Sequence, residues 1–182
     1  MILALVGVTG VGKTYFKDKI VEKLGFKRVN TIRTRKIRKG EEQGKAGLFL
    51  SKEELDKLDK EGKLAYRFSV FGGEYAYLKD EIFTDENMVF EMHYTTIYDW
   101  KKVCPDIKTI YILPTDINLA IEKTKERNLS PEKEEERIKE LEEHYNRIMT
   151  DEELKKQFDY IVYNNYDKDS LDKILSLVKS MM

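Results

Sequence analysis

Residues 7–14 read Gly-Val-Thr-Gly-Val-Gly-Lys-Thr and fit the phosphate-binding pattern G-x-x-x-x-G-K-[ST]. The apolar run before them, Ile2-Leu3-Ala4-Leu5-Val6, predicts a buried parallel strand. After them, apolar residues recur at helical spacing as far as Gly25: Phe16, Ile20, Val21 and Leu24. Glycines let successive N–H groups turn toward phosphate oxygens at the start of a helix. The order of strand, loop and helix therefore predicts a phosphate site.

This glycine-rich segment is expected to bind ATP. The residues predicted to contact the nucleotide are Gly7, Thr9, Gly10, Val11, Gly12, Lys13 and Thr14. The Lys13 ammonium would reach the β- and γ-phosphates, and the Thr14 hydroxyl would hold Mg²⁺. The alternative is a glycine-rich strand-to-helix turn without a ligand. The flanking strand and helix patterns favour the phosphate site over that alternative.

Length, charge and cysteine content narrow the class of protein. The chain has 182 residues, a formal net charge of −1 and one cysteine, Cys104. We therefore expect one domain without a disulfide, and no global attraction to nucleic acid. No apolar stretch approaches the length of a membrane span, and the N-terminal run is too short for a secretory signal. These features predict a cytoplasmic protein that does not bind a membrane.

Strand patterns alternate with helical patterns along the chain, which is typical of a parallel α/β sheet. Further strands are predicted at 88–92, 109–113 and 160–163. Ser51-Lys52-Glu53-Glu54 reads as a capping box, and Ser130-Pro131 places a cap residue before a first-turn proline. The expected fold is an α/β core interrupted by two segments, near 30–80 and 127–150.

Five cations fall within residues 33–39, one element after the phosphate loop. Guanidinium groups bind phosphate in a bidentate manner, so Arg35 and Arg38 are candidates for holding a second phosphorylated substrate. The other three are expected to be surface charge: Arg33, Lys36 and Lys39.

Two further arginines, Arg127 and Arg137, flank the Ser130-Pro131 turn. Arginines on a moving segment can stabilise the charge that develops in phosphoryl transfer. From the residues alone, surface ion pairs with the nearby glutamates are the better explanation.

Several motifs follow the phosphate loop in a fixed order. They are Thr34-Arg35-x-x-Arg38-x-Gly40-Glu41-x-x-Gly44, Phe49-x-Ser51-x-Glu53-Glu54-Leu55, Gly62-Lys63-Leu64, Gly72-Gly73-Glu74-Tyr75, Ile110-Tyr111-Ile112-Leu113-Pro114, Arg127, Arg137 and Tyr160-Ile161-Val162-Tyr163-Asn164. This order resembles that of the guanylate kinase family over nearly the whole chain. The phosphate loop marks a very large superfamily, whereas the T-R-x-x-R-x-G-E-x-x-G string is much more specific.

The resemblance implies a P-loop NTPase fold with a three-layer α/β/α core, all within one domain of residues 1–182. The core would comprise 1–32, 86–126 and 139–182, with an inserted subdomain for the nucleoside monophosphate at 33–85 and a helical lid at 127–138. It also implies transfer of the γ-phosphoryl group of ATP to GMP in the presence of Mg²⁺.

The resemblance assigns roles to individual residues. The catalytic residues would be Lys13, Arg35, Arg127 and Arg137. The acceptor-binding residues would be Thr31, Arg35, Arg38, Tyr66, Tyr75 and His93. Glu91 would approach the metal through a water molecule, and Thr14 would contact the metal directly.

The departures from the family concentrate in the acceptor site. The family's D-Y-x-F segment reads Ala46-Gly47-Leu48-Phe49, so Gly47 replaces a phosphate-binding tyrosine. The two acids at the base pocket fall on Tyr66 and His93, and the small residue after the family's Y-G step falls on Tyr77. A tyrosine hydroxyl cannot accept the pair of N–H bonds that a carboxylate accepts from guanine. Losing such a contact weakens discrimination between bases.

Three functions follow from this pattern. The leading one is a guanylate-kinase-like phosphotransferase with GMP as acceptor. The second is a kinase for another nucleotide or for a phosphorylated sugar. The third is a non-catalytic binding module of the same fold, which the intact phosphate loop opposes. The expected partners are ATP and a small phosphorylated acceptor, with no nucleic acid and no membrane, and the chain would be a monomer or a homodimer.

Overall fold

The computed structural model describes residues 1–37, 41–44, 47–70 and 72–182. In chain order its elements are β1 (Ile2–Gly7), α1 (Lys13–Leu24), β2 (Lys27–Arg28), β3 (Ile32–Arg33), β4 (Leu48–Phe49), α2 (Lys52–Lys60), β5 (Leu64–Val70), β6 (Gly73–Leu78), α3 (Lys79–Ile82), β7 (Met88–Glu91), a 3₁₀ turn (Tyr94–Thr96), α4 (Ile97–Val103), β8 (Lys108–Pro114), α5 (Ile117–Lys125), α6 (Pro131–Thr150), α7 (Glu152–Lys155), β9 (Tyr160–Asn164) and α8 (Lys168–Met181).

The main sheet has parallel strands in the order β2-β7-β1-β8-β9. The central strand, β1, pairs Leu5 with Glu91 of β7 and Gly7 with Ile112 of β8. Most residues of β1, β7 and β8 are buried, as expected for parallel strands that are covered on both faces. The carboxyl ends of β1 and β7 meet at one edge of the sheet, beside the loop that starts at Gly7.

Helices cover both faces of this sheet. On one face, Phe16 of α1 and Ile174 of α8 belong to one buried apolar cluster. On the other face, Trp100 of α4 and Ile148 of α6 belong to a second cluster. The result is the expected three-layer α/β/α core.

A second, smaller sheet has the strand order β4-β3-β6-β5 and is mostly antiparallel. Its own core consists of Ile32, Leu55 and Ala76, with α2 packed over it. The predicted capping box is present, because Ser51 and Glu54 exchange side-chain and backbone hydrogen bonds at the start of α2.

An aromatic cluster joins the second sheet to the core. The Tyr77 ring of β6 lies 4.8 Å from the Trp100 ring and 5.2 Å from the Phe90 ring, centre to centre. Tyr66 of β5 stacks on Phe68 and contacts Trp100 edge-on at 5.2 Å. All of these rings are wholly or partly buried, so the junction is an extension of the hydrophobic core.

The strands predicted from apolar runs are all present, with bounds that differ by one residue at most. The strands β2, β3, β4, β5 and β6 were not predicted. Helix α6 is continuous over 20 residues, so 131–138 form its first turns and residue 138 marks no structural break. The division into core, inserted subdomain and lid therefore stays a proposal. In the part of the chain that the structure describes, no helix has the length and apolarity needed to cross a membrane.

Candidate active site

The phosphate loop keeps its shape because glycines occupy positions that a side chain could not. Gly10 has a φ of 80° and Gly12 a φ of 90°, both in the left-handed region. A Cβ atom on Gly7 would overlap the carbonyl oxygen of Ile112, and one on Gly10 would overlap that of Ala120. The loop thus packs directly against β8 and α5. Gly12 is the N-cap of α1, so the helix N-terminus adds positive potential to the loop.

Lys13 lies inside this loop. Its Nζ atom donates to the carbonyl oxygens of Gly7 (2.8 Å) and Val8 (2.9 Å). Burial lowers the pKa of Lys13 to about 8, although the nearby Glu91 carboxylate favours the charged form. An anion bound in the loop would place a negative charge beside the buried ammonium and would favour its charged form.

The carboxylate of Glu91, at the end of β7, faces the start of α1. It accepts a hydrogen bond from Thr14 Oγ1 (3.0 Å) and forms an ion pair with Lys17 Nζ (2.6 Å). Burial opposes ionisation of Glu91, but Lys17 and Lys13 outweigh that effect and hold its pKa below the usual value. A hydroxyl and an ionised carboxylate beside a phosphate loop fit Mg²⁺, which takes oxygen ligands.

Sequence reasoning missed Lys17. The only feature of the sequence that could have indicated a role for Lys17 is its position one helical turn after Lys13, on the same predicted helix. The pairing with Glu91 spans 74 residues of sequence and depends on how α1 lies against β7.

The turn after β9 holds the phosphate loop in place, a role that no local sequence pattern indicates. Asn164 Nδ2 donates to the Val11 carbonyl oxygen (3.0 Å), and Asn164 Oδ1 accepts from the Tyr166 N–H (2.8 Å). The Tyr166 hydroxyl donates to the Gly10 carbonyl oxygen (3.1 Å). Tyr166 and Asn164 also border a cavity of about 440 Å³ beside Gly10 and Gly12.

A cavity of about 200 Å³ lies where the phosphate loop, the second sheet and α6 meet. It brings together residues that the sequence assigned to the acceptor or to catalysis: Thr31, Tyr75, His93, Arg137 and Lys13. Aromatic rings form much of the remaining wall: Phe68, Tyr77 and Tyr94. The cavity therefore combines an apolar wall with a few polar groups, as small-molecule sites commonly do.

Two residues expected in the acceptor site lie outside this cavity. The Arg35 guanidinium makes two hydrogen bonds to the Glu41 carboxylate, at 2.7 and 2.6 Å. The Tyr66 hydroxyl donates to Asp99 of α4 (3.0 Å). Neither Arg35 nor Tyr66 is among the described residues that line the cavity. A third expected residue, Arg38, lies outside the described residues.

The two arginines of the predicted lid border different cavities that share Lys13. Arg137 lines the cavity described above and pairs with Glu140 at 2.6 Å. Arg127 borders a cleft of about 230 Å³ with Lys13, Thr14 and other loop residues. Both guanidinium groups are thus placed beside the phosphate loop rather than on a remote surface.

Arg33 corrects one expectation, because it lines the cavity of about 200 Å³ instead of lying at the surface. The absence of a side chain at Gly47 makes room for it. A Cβ atom there would overlap the Arg33 guanidinium and lie 2.5 Å from the Thr31 carbonyl oxygen. Gly47 has a φ of 137°, which also favours glycine. By contrast, Lys36 is exposed as expected, and Lys39 lies outside the described residues.

Both histidines of the chain lie at this cavity. The ring centres of His93 and His144 are 5.1 Å apart, and Tyr94 lies 4.4 Å from His144. Burial lowers the pKa of each histidine to about 4, so both imidazoles are neutral near pH 7. His93 Nδ1 lies 2.6 Å from Thr95 Oγ1, which fixes the orientation of the ring.

A parallel sheet with a glycine loop between its central strand and first helix defines a P-loop NTPase fold. The cavity between that loop and the second sheet offers space for a second ligand beside the phosphate loop. The family model for guanylate kinase matches residues 1–182, and the chain belongs to the guanylate kinase family.

Known proteins agree with this assignment. The guanylate kinase of Clostridioides difficile is 25% identical, over 99% of this chain and 87% of its own length. That of Mycoplasma mobile is 28% identical, over 98% of this chain and 92% of its own. The crystal structure of guanylate kinase from Anaplasma phagocytophilum covers 100% of this chain and 85% of its own, with a TM-score of 0.75 and 18% identity, which supports the fold alone. The predicted fold and family are confirmed.

Proposed function

We propose that this protein transfers the γ-phosphoryl group of ATP to a nucleoside monophosphate, with GMP as the leading acceptor. The observation that carries the proposal is the position of Lys13, which borders both the acceptor cavity and the cleft with Thr14 and Arg127. Donor and acceptor phosphates bound in these two spaces would both lie beside Lys13, which would hold them close together for in-line transfer. The name guanylate kinase, carried by its relatives, supports GMP.

The donor would lie along the phosphate loop. The Lys13 ammonium would exchange the loop carbonyls for the β- and γ-phosphate oxygens, because phosphate offers it a full negative charge. The adenosine would extend into the cavity of about 440 Å³ beside Gly10, Gly12 and Tyr166. Thr14 and, through water, Glu91 would hold Mg²⁺, which supplies charge neutralisation between the phosphates.

The acceptor phosphate would be held by Arg33 and Tyr75, which line the cavity together. Arg33 would replace the tyrosine that the family resemblance places at position 47. Arg35 would join them after exchanging Glu41 for the phosphate, since the ion pair with Glu41 is only partly buried. The Thr31 hydroxyl would contact the base or sugar, and Arg38 remains a candidate on the family motif.

Charge neutralisation would carry most of the catalysis. Negative charge spreads over the migrating phosphoryl group, and Arg127 and Arg137 are positioned to stabilise it together with Lys13. Arg137 would then leave Glu140. The mechanism needs neither a covalent intermediate nor a strong base. The proposal takes the chain as one domain that works in the cytoplasm as a monomer or a homodimer.

A second candidate function keeps the chemistry and changes the acceptor to another nucleotide or a phosphorylated sugar. Of the described residues that line the acceptor cavity, the carboxylates are Glu91 and Glu140. Glu91 is engaged by Thr14 and Lys17, and Glu140 by Arg137. Before Arg137 leaves Glu140, neither carboxylate is therefore ready to accept the two adjacent N–H groups of guanine, and only that release would make one available. The intact loop with Lys13 speaks against a non-catalytic binding module.

The test is ADP release from ATP and Mg²⁺ with one acceptor at a time: GMP, dGMP, AMP, CMP, UMP and sugar phosphates. We expect turnover with GMP that is abolished in a folded Lys13→Ala variant. Turnover restricted to a different acceptor would establish the second candidate. ATP binding without turnover across the panel would contradict the kinase proposal, as would near-wild-type turnover in Lys13→Ala.

A further inference from the structure

We propose that His93, Glu140 and His144 form a binding site for a divalent transition-metal ion such as Zn²⁺, distinct from the Mg²⁺ position at Thr14. One ligand atom from each of these three residues lies within 4.8 Å of the other two. The chain contains only two histidines, and both belong to this group. His93 follows β7, whereas Glu140 and His144 lie on α6, so the fold brings them together from distant segments.

The donor atoms suit this class of ion. Two imidazoles and one carboxylate are a ligand set of catalytic zinc sites, which leave a fourth position open. Mg²⁺ and Ca²⁺ prefer oxygen ligands, so they should bind here weakly. Tetrahedral zinc would hold its ligand atoms about 3.4 Å apart. A contraction of about 1.4 Å from the 4.8 Å limit is within reach of small side-chain rotations.

The surrounding structure already orients the ligands. Glu140 and His144 are one turn apart on a continuous 20-residue helix, so their side chains share one face. The buried residues Leu141 and Ile148 fix that helix to the core. His93 Nδ1 lies 2.6 Å from Thr95 Oγ1, and this contact orients the imidazole that supplies one ligand atom. Such outer hydrogen bonds are what hold histidine ligands in place at metal sites.

In the protein without bound ligands, two cationic side chains disfavour the binding of a metal ion at this position. Arg137 pairs with Glu140 at 2.6 Å, and Lys13 lines the same cavity. Both side chains have alternative partners, because phosphates bound in the loop would attract Arg137 and Lys13 away from the cluster. This step rests on the proposed function, and it predicts tighter metal binding when ATP occupies the phosphate loop and the acceptor is absent.

An ion at this site would connect α6 to the end of β7 across the acceptor cavity. The same cavity would then be closed to the acceptor, so Zn²⁺ should inhibit phosphoryl transfer in competition with the acceptor. This consequence also rests on the proposed function. The binding itself does not.

Binding is measured without nucleotide, on the full chain prepared without a histidine tag. Co²⁺ is titrated while its visible absorption is recorded, and Zn²⁺ is titrated while the imidazole NMR resonances are followed. We expect one ion per chain, perturbation of both imidazoles, and affinity at least tenfold weaker in His144→Ala and in Glu140→Gln. Glu143→Gln, an exposed carboxylate on the same helix, and Cys104→Ser should retain the affinity of the unaltered chain.

Two outcomes would overturn the site. One is the absence of any imidazole perturbation at excess Zn²⁺, and the other is binding that survives in His144→Ala. Because neither measurement uses phosphoryl transfer, failure of the kinase proposal would leave the result interpretable. Zn²⁺ binding without competition against the acceptor would overturn the inhibitory role.

Discussion

At the scale of single residues, Lys13 shows how a site can oppose the stability of the empty protein. Its ammonium is buried against the carbonyl oxygens of Gly7 and Val8, and burial lowers its pKa from 10.5 to about 8. The folded state therefore holds this proton less tightly than the unfolded chain does. A group with this behaviour reduces stability while it is charged, and a bound polyphosphate reverses the effect.

Lys13→Met should consequently be inactive and more stable. At pH 7 we expect the free energy of unfolding to rise by roughly 1–3 kcal/mol, less than the roughly 3.4 kcal/mol that a fall in pKa from 10.5 to about 8 represents without solvent screening. The unfolded chain keeps the Lys13 proton up to about pH 10.5, whereas the folded one releases it near pH 8. The unaltered protein therefore gains stability between these values, and the variant lacks that gain. Urea unfolding across this range measures the difference, and a variant less stable at pH 7 would contradict the argument.

Arg33→Ala tests whether this arginine holds the acceptor phosphate. Charge-assisted hydrogen bonds contribute about 1.5–3 kcal/mol, so we expect KM for the acceptor to rise by about 10- to 100-fold while KM for ATP stays within about twofold. Lys36→Ala is the matched control, because Lys36 is exposed on the same basic segment. Equal effects of the two substitutions would show a general charge effect and would remove Arg33 from the site.

At the scale of elements, the turn between β9 and α8 acts as a support for the phosphate loop. Asn164 is 3% exposed and joins the Val11 carbonyl to the Tyr166 N–H. Tyr166, in turn, reaches the Gly10 carbonyl. The loop conformation is therefore fixed from two directions, by the glycine contacts with β8 and α5 and by the hydrogen bonds from this turn.

Asn164→Ala should loosen the loop without removing any group that contacts ATP phosphates. It leaves a buried carbonyl and a partly buried N–H without their partner, at a cost of about 1–3 kcal/mol. We expect lower stability and a several-fold higher KM for ATP, with KM for the acceptor less affected. The exposed neighbour Asn165 provides the control substitution to alanine. A loss of stability with an unchanged KM for ATP would limit Asn164 to a structural role.

Of the four strands that the sequence predicted, three have residues buried in a continuous run, whereas β9 was recognised from its apolar residues although Tyr160 and Tyr163 are exposed. Strands β1, β7 and β8 satisfy this condition, so their apolar runs mark them directly. β2 is two residues long and both are exposed, which leaves no pattern to read. In β5 nearly every residue is partly buried, so the alternation that normally marks a strand at a sheet surface is lost.

The residues of the candidate site divide in the same way, into those marked by a local sequence pattern and those that depend on distant contacts. The phosphate loop was predictable because glycine, lysine and threonine at fixed spacing are local requirements of one small structure. Arg33 was not predictable, because its place in the cavity depends on the absence of a side chain at Gly47. Gly47 belongs to a different segment of the chain, directly before β4. Lys17 and Asn164 depend on contacts across 74 and 153 residues of sequence, and no local pattern records such pairings.

At the scale of the whole molecule, the acceptor cavity lies beside the junction between the two sheets. Tyr66 and Tyr77 of the second sheet pack against Trp100 of the core, and Trp100 and Tyr77 are almost fully buried. Phe68 and Tyr77 also line the cavity itself. The shape of the cavity therefore depends on how firmly these rings hold the second sheet against the core.

Tyr66→Phe tests whether Tyr66 holds the second sheet against the core or contacts the base of the acceptor. The substitution keeps the ring on Phe68 and Trp100 and removes the hydroxyl that donates to Asp99. We expect the free energy of unfolding to fall by about 0.5–1.5 kcal/mol and KM for the acceptor to stay within about twofold. Asp99→Ala should cost a similar amount, and the double variant should cost less than the sum, because both changes remove one hydrogen bond. A tenfold rise in KM for the acceptor with unchanged stability would instead return Tyr66 to the acceptor site. In that case its hydroxyl would have to leave Asp99 when the acceptor binds, and the second sheet would have to move relative to α4 during each turnover.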